Sequence, residues 1–181
     1  MTRGGAEPGT AASEARLAPG RLATGAENAH GVALVVGEAG ALILGPPGAG
    51  KTALALETVE RARARSLFAR LVADDRVLLE RRGGRLLARP HPLLAGLVEE
   101  RGLGVGRRRH EPACVVRLLV ALDGSVEAPS REGPGRPAEA VPERLGAAAA
   151  EPPRLVLPRG IGLARAARLL LARLVQPEEE G

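Results

Sequence analysis

The stretch Gly45-Pro46-Pro47-Gly48-Ala49-Gly50-Lys51-Thr52 constrains this chain more than any other. It fits G-x-x-x-x-G-K-[ST] in full, the pattern of a phosphate-binding P-loop. Its glycines let backbone N–H groups close around phosphate oxygens, an approach that a Cβ would obstruct. Lys51 is placed to reach the β- and γ-phosphates, and the Thr52 hydroxyl to ligate Mg2+. Such a loop needs a strand before it and a helix after it. Ala41-Leu42-Ile43-Leu44 reads as a buried strand, and Ala53-Leu54-Ala55-Leu56-Glu57 as the start of a helix whose dipole turns its positive end to the anion.

Residue usage supports the motif independently. Of 26 basic residues, Lys51 is the sole lysine. Arginine has replaced lysine wherever the two are equivalent, and they are not equivalent where a compact ammonium must fit between phosphate oxygens. Three aspartates stand against eighteen glutamates, and two of the three are adjacent, Asp74-Asp75. They follow an apolar run, Ala69 to Ala73, that reads as a strand. A carboxylate pair at a strand end downstream of a P-loop suits metal coordination or proton abstraction.

The 181 residues suffice for one domain with its own core. The net charge of +5 raises the question of nucleic acid. Against that, Phe68 is the only aromatic residue and the arginines are interspersed with glutamates, so the surface reads as solvated, with weak steering toward an acidic partner left open. Cys114 is alone, which fits a reducing, cytoplasmic setting. Residues 1–29 lack the apolar core of a signal peptide, and no apolar stretch reaches the roughly 18 residues that span a bilayer.

Along the chain, residues 1–28 read as a disordered tail, residues 29–176 as one catalytic domain, and 177–181 as a frayed acidic tail. Gly31 to Val36 and Ala41 to Leu44 make a hairpin around Gly37-Glu38-Ala39-Gly40. The strand before the loop is therefore the second arm of a hairpin, which predicts a mixed, partly antiparallel sheet. The helix after Thr52 runs to about Arg65. A second hairpin joins Val77–Glu80 to Leu86–Ala88 through a turn at Arg81 to Arg85. Leu93 to Val98 reads as a short helix or turn, and Glu99 to Val105 as a tight glycine loop bearing Glu99 and Arg101. Arg107 to His110 reads as an exposed basic loop, Val115 to Leu122 as an apolar strand, and residues 123–142 as mobile. Arg154 to Pro158 reads as a last strand and Gly162 to Val175 as an amphipathic helix.

Taken together, these motifs resemble the bacterial HPr kinase/phosphorylases. His30-Gly31-Val32 opens the hairpin, and the P-loop follows at the family's distance. Leu71-Val72-Ala73-Asp74-Asp75-Arg76-Val77 resembles the family's L-[VI]-A-D-D-x-V segment. Glu99-x-Arg101-Gly102-Leu103-Gly104-Val105 resembles its E-x-R-G-[LI]-G-[IV] signature, and Glu143-Arg144-Leu145 its later arginine site. The likeness runs from about His30 to Val175 and is to the short proteobacterial form, the catalytic domain alone. Thr52 stands where the family usually has serine.

The resemblance implies an α/β P-loop kinase domain similar to phosphoenolpyruvate carboxykinase, in hexamers. It implies ATP and Mg2+ as cofactors and HPr as partner, with no nucleic acid and no membrane. The family phosphorylates a serine of HPr in phosphotransferase-system regulation and removes that phosphate by phosphorolysis to pyrophosphate. On this chain the implied roles fall to Asp75 as base, Lys51 with the loop amides on the donor, and Thr52 and Glu99 at the metal, with Asp74 either assisting at the metal or acting on its neighbour Asp75. His30 would tune Asp75, and Arg144 would stabilise the transferred group. A small-molecule P-loop kinase or NTPase, and a regulator that senses ATP without turnover, are the rival readings.

Overall fold

The computed structural model describes residues 26–100, 102, 104–122, 151–158 and 160–176. Arg101, residues 123–150 with Arg144, most of the N-terminal tail and the acidic tail at 177–181 lie outside the described residues.

The run Val32–Val36 (β2) is buried at every position, so both faces of its sheet are covered. It turns back at Gly37-Glu38 into Ala39–Leu44 (β3), and the two pair antiparallel, Val32 with Ile43 and Val36 with Ala39. Ala69–Ala73 (β4) pairs antiparallel on the other side of β2. Cys114–Leu122 (β9) lies parallel to β3, and Arg154–Leu157 (β10) lies parallel to β9. The sheet is therefore mixed, as the hairpin before the loop predicts.

Two layers close over it. Lys51–Ala64 (α1) and Leu163–Val175 (α2) cover one face, where Leu54, Val59, Leu170 and Leu171 meet Leu34, Ile43 and Val120. On the other face, Arg76–Arg82 (β5) and Arg85–Pro90 (β6) form a hairpin, with Glu27–His30 (β1) antiparallel to β5. Their inward residues Val77, Leu79, Leu86 and Ala88 pack with Val35, Leu42 and Leu119. β9 joins the two parts: its start pairs with β6 and its end with β10. α1 stops through paired bonds from Ser66 N–H to the Arg63 carbonyl and Leu67 N–H to the Ala62 carbonyl, with Ser66 left-handed.

Five expectations shift. The first hairpin turn is Gly37-Glu38 alone, because Ala39 and Gly40 already pair with Val36 and Val35. β1 begins at Glu27, inside the stretch read as tail, because it has β5 to pair with. β5 and β6 run to Arg82 and from Arg85, so the turn shrinks to Gly83-Gly84; arginines on the outward positions hid the strand alternation. Leu97–Glu100 (β7) and Gly104–Arg107 (β8) form a separate two-stranded ribbon, so Glu99 sits on a strand and not on a loop. β8 takes Arg107 out of the basic loop.

Candidate functional site

The glycine-rich loop leaves β3 at Leu44 and enters α1 at Lys51. Gly45, Gly48 and Gly50 all take positive φ, which allows the chain to wind tightly. Gly50 caps the helix without any side-chain bond, so the first-turn N–H groups of α1 keep their donors turned to the loop. Lys51 is buried. Its ammonium donates to the Gly45 carbonyl at 2.6 Å and the Pro46 carbonyl at 3.2 Å, using two of its three hydrogens.

β4 lies beside α1 and delivers Asp74 to the loop. The Thr52 hydroxyl donates to Asp74 Oδ1 at 2.8 Å, and the Glu99 backbone N–H to Oδ2 at 3.1 Å. Asp74 is only 8% exposed. Burial holds its carboxyl above the usual value, with a smaller push from the neighbouring Asp75 charge, against the opposing pull of those two hydrogen bonds.

Asp75 is held differently. It adopts φ 67°, and a bond from Arg76 N–H to the Asp74 carbonyl at 2.9 Å closes a three-residue turn around it. That is the strained hand of such a turn, a conformation found where the surroundings over-determine it. Here the surroundings are the Gly31 N–H, which donates to the Asp75 carbonyl at 3.1 Å, and the His30 ring, whose Nδ1 lies 2.8 Å from Asp75 Oδ1. The Asp75 side chain is 60% exposed.

These groups line one cavity of about 600 Å3. His30, Asp74, Asp75 and Glu99 line it together with the loop from Pro47 to Thr52. Of the residues singled out in the sequence, His30, the loop, Asp74, Asp75 and Glu99 are thus brought together; Arg144 falls outside the described residues. Sequence reasoning missed Val32 and Leu56, which supply apolar wall, and the Glu99 amide that fixes Asp74. Nothing in the sequence signals that amide, because it depends on the position of the β7–β8 ribbon. Among the described residues no three His, Cys, Asp or Glu side chains converge into a metal cage. A hydroxyl and a carboxylate in contact are nonetheless hard oxygen donors of the kind that suit Mg2+, which takes few protein ligands and fills its octahedron with water and phosphate oxygens.

Residues 21–107 match the family model described as HPr Serine kinase C-terminal domain. Proteins named HPr kinase/phosphorylase from Neisseria meningitidis and Chromobacterium violaceum are 40% identical over 101 residues, 51% of this chain and 30% of theirs. One of the same name from Cupriavidus pinatubonensis is 36% identical over 124 residues, 62% of this chain and 36% of its own. The chain thus spans about a third of the length of the curated relatives it matches. Among solved structures, the Hpr(Ser) kinase/phosphatase from Coxiella burnetii superposes with a TM-score of 0.55 at 22% identity, covering 83% of this chain and 88% of that one. The α/β fold with its mixed sheet is shared with that structure. The similarity to the HPr kinase/phosphorylases covers the stretch that carries the loop, the aspartate pair and Glu99.

Proposed function

We propose that this relative of the HPr kinase/phosphorylases is itself an ATP-dependent protein-serine kinase whose acceptor is the phosphocarrier HPr. The observation that carries the reading is the His30–Asp75 pair, held at a strained turn on the edge of the same cavity that the glycine-rich loop walls. A phosphate cradle and a hydroxyl-activating carboxylate facing one space are what phosphoryl transfer to an alcohol requires.

In this reading Gly45 to Thr52 is a working P-loop in a kinase domain of the phosphoenolpyruvate carboxykinase type. The loop amides and the Lys51 ammonium hold the nucleotide phosphates. Thr52 and Asp74 hold Mg2+, with Glu99 at the cavity edge; when bound, the ion neutralises charge on the β- and γ-oxygens. Asp75 takes the proton from the serine hydroxyl as its oxygen bonds to the γ-phosphorus and ADP departs. His30 orients Asp75 through Nδ1. Arg144 would balance charge on the transferred group. Run backwards with inorganic phosphate as attacking group, the same site returns the proton from Asp75 to the serine oxygen and releases pyrophosphate. A cytoplasmic setting and a homo-hexamer go with this reading.

The test is transfer from Mg-ATP to the HPr protein of the same organism, read as phosphoserine by mass spectrometry. Asp75→Asn should lower the rate by about 100-fold or more, the usual worth of a general base. Bound or hydrolysed ATP with no phosphoserine would sink the proposal and bring forward a small-molecule kinase or an ATP sensor.

A further inference from the structure

Only one face of the β1–β5–β6 layer meets the core. Directly opposed residues share a face, so the register assigns the other one: Arg76 opposite His30, Arg89 opposite Leu78, Leu87 opposite Glu80, and Arg85 opposite Arg82. The burial pattern agrees. Arg76, Arg82 and Arg85 are exposed and Leu78, Leu87 and Arg89 half-buried, while the alternate positions Val77, Leu79, Leu86 and Ala88 are buried. Four arginines therefore share this face with a single β5–β6 carboxylate, Glu80, which approaches Arg89 only to 3.9 Å, beyond hydrogen-bond range. The strip starts beside the His30–Asp75 pair, since Arg76 follows Asp75 in the chain and faces His30 across the ladder. It runs from Arg76 to Arg82 along β5, six steps or about 20 Å at strand rise.

We propose that this face is a docking surface for an acidic face of the protein whose hydroxyl is presented to Asp75. The proposal rests on the kinase reading and adds what the acceptor must look like. Guanidinium groups bind carboxylates in pairs of parallel hydrogen bonds, and arginine is enriched at protein interfaces. Leu78 and Leu87 between the arginines give the contact an apolar centre. A flat strip that leads to the reacting carboxylate raises the encounter rate and sets the approach direction of an acidic partner. Nucleic acid fits less well: the face carries no Phe, Tyr or Trp ring for base stacking, because the chain's only such residue, Phe68, precedes β4.

The test uses the double variant Arg82→Glu, Arg85→Glu, at the turn end farthest from Asp75. Circular dichroism and Tm check its fold. With HPr as acceptor at low salt, its KM should rise on the order of tenfold while kcat and the KM for ATP stay within about twofold. The difference should shrink at high salt. An unchanged KM for HPr in the folded variant overturns the docking surface and leaves the kinase reading standing. So does a shift in self-association on gel filtration without a KM effect, which would make the face a contact between copies, or a loss of single-stranded RNA retention alone. If the wild-type chain transfers nothing to HPr, the kinase reading fails separately. Fluorescence anisotropy of labelled HPr then decides the surface: weaker binding by the variant supports it, and equal binding overturns it.

Discussion

Asp74 and Asp75 are chemically identical neighbours in unlike surroundings. Asp74 is buried between the Thr52 hydroxyl and the Glu99 amide, while Asp75 is exposed on its strained turn. The raised pKa of Asp74 has a consequence for stability. The folded state holds the Asp74 proton more tightly than the unfolded chain, whose carboxyl titrates near 3.8. The contribution is therefore fully present below that value and is lost as pH rises through the folded-state pKa. Asp74→Asn removes the titration. Its amide cannot accept from both partners, which subtracts a pH-independent amount, so the slope is the diagnostic. Thermal unfolding followed from pH 4 to 7 should show the variant gaining on the wild type as pH rises; parallel curves would contradict the burial argument. In the sequence, the pair was legible as chemistry, because aspartate is rare here and both sit at a strand end. Their unlike surroundings were not, since these depend on a bond between Thr52 and Asp74, 22 residues apart, and on an amide from a third element.

At the level of strands and helices, legibility followed the strength of apolar pattern and glycine punctuation. β2, β3, β4 and β9 are continuous apolar runs and were readable to within a residue or two. β7 was not: Leu97-Val98-Glu99-Glu100 is four residues long, ends in two carboxylates, and buries Val98 against the helical core. β1 was missed because Glu27-Asn28-Ala29-His30 has no strand signature of its own and forms only on the edge β5 offers. The β3–β9 contact shows how tightly a readable element is held. A Cβ on Gly40 would lie 2.5 Å from the Val115 carbonyl oxygen and 2.6 Å from Cys114 Sγ. The carbonyl belongs to the paired strand and cannot step aside, so Gly40→Ala should cost about 1–3 kcal/mol as an overpacked core does. Urea denaturation measures it, with a lower midpoint and an unchanged m-value expected; a neutral result would mean that the strands stand farther apart.

For the molecule as a whole, the central sheet carries a core on each face, and β9 contributes to both: Val120 and Leu122 to the helical side, Cys114, Val116 and Leu119 to the other. Opening either core therefore disturbs the same strand. Cys114 reports on this, because it is the only thiol and burial pushes its pKa up to about 12. Alkylation by iodoacetamide at neutral pH should be negligible in the native protein and should follow global unfolding as denaturant is raised. Labelling well below the unfolding transition would show that β9 frays by itself. The position of β9 also orders events during synthesis. Leu44, the residue before the glycine-rich loop, is parallel-paired with Ala121, so the loop's own strand waits on the ribosome for a partner translated long afterwards. Until β9 emerges, the apolar β2–β3 hairpin has a bare edge, the kind of unpaired edge on which another copy can dock.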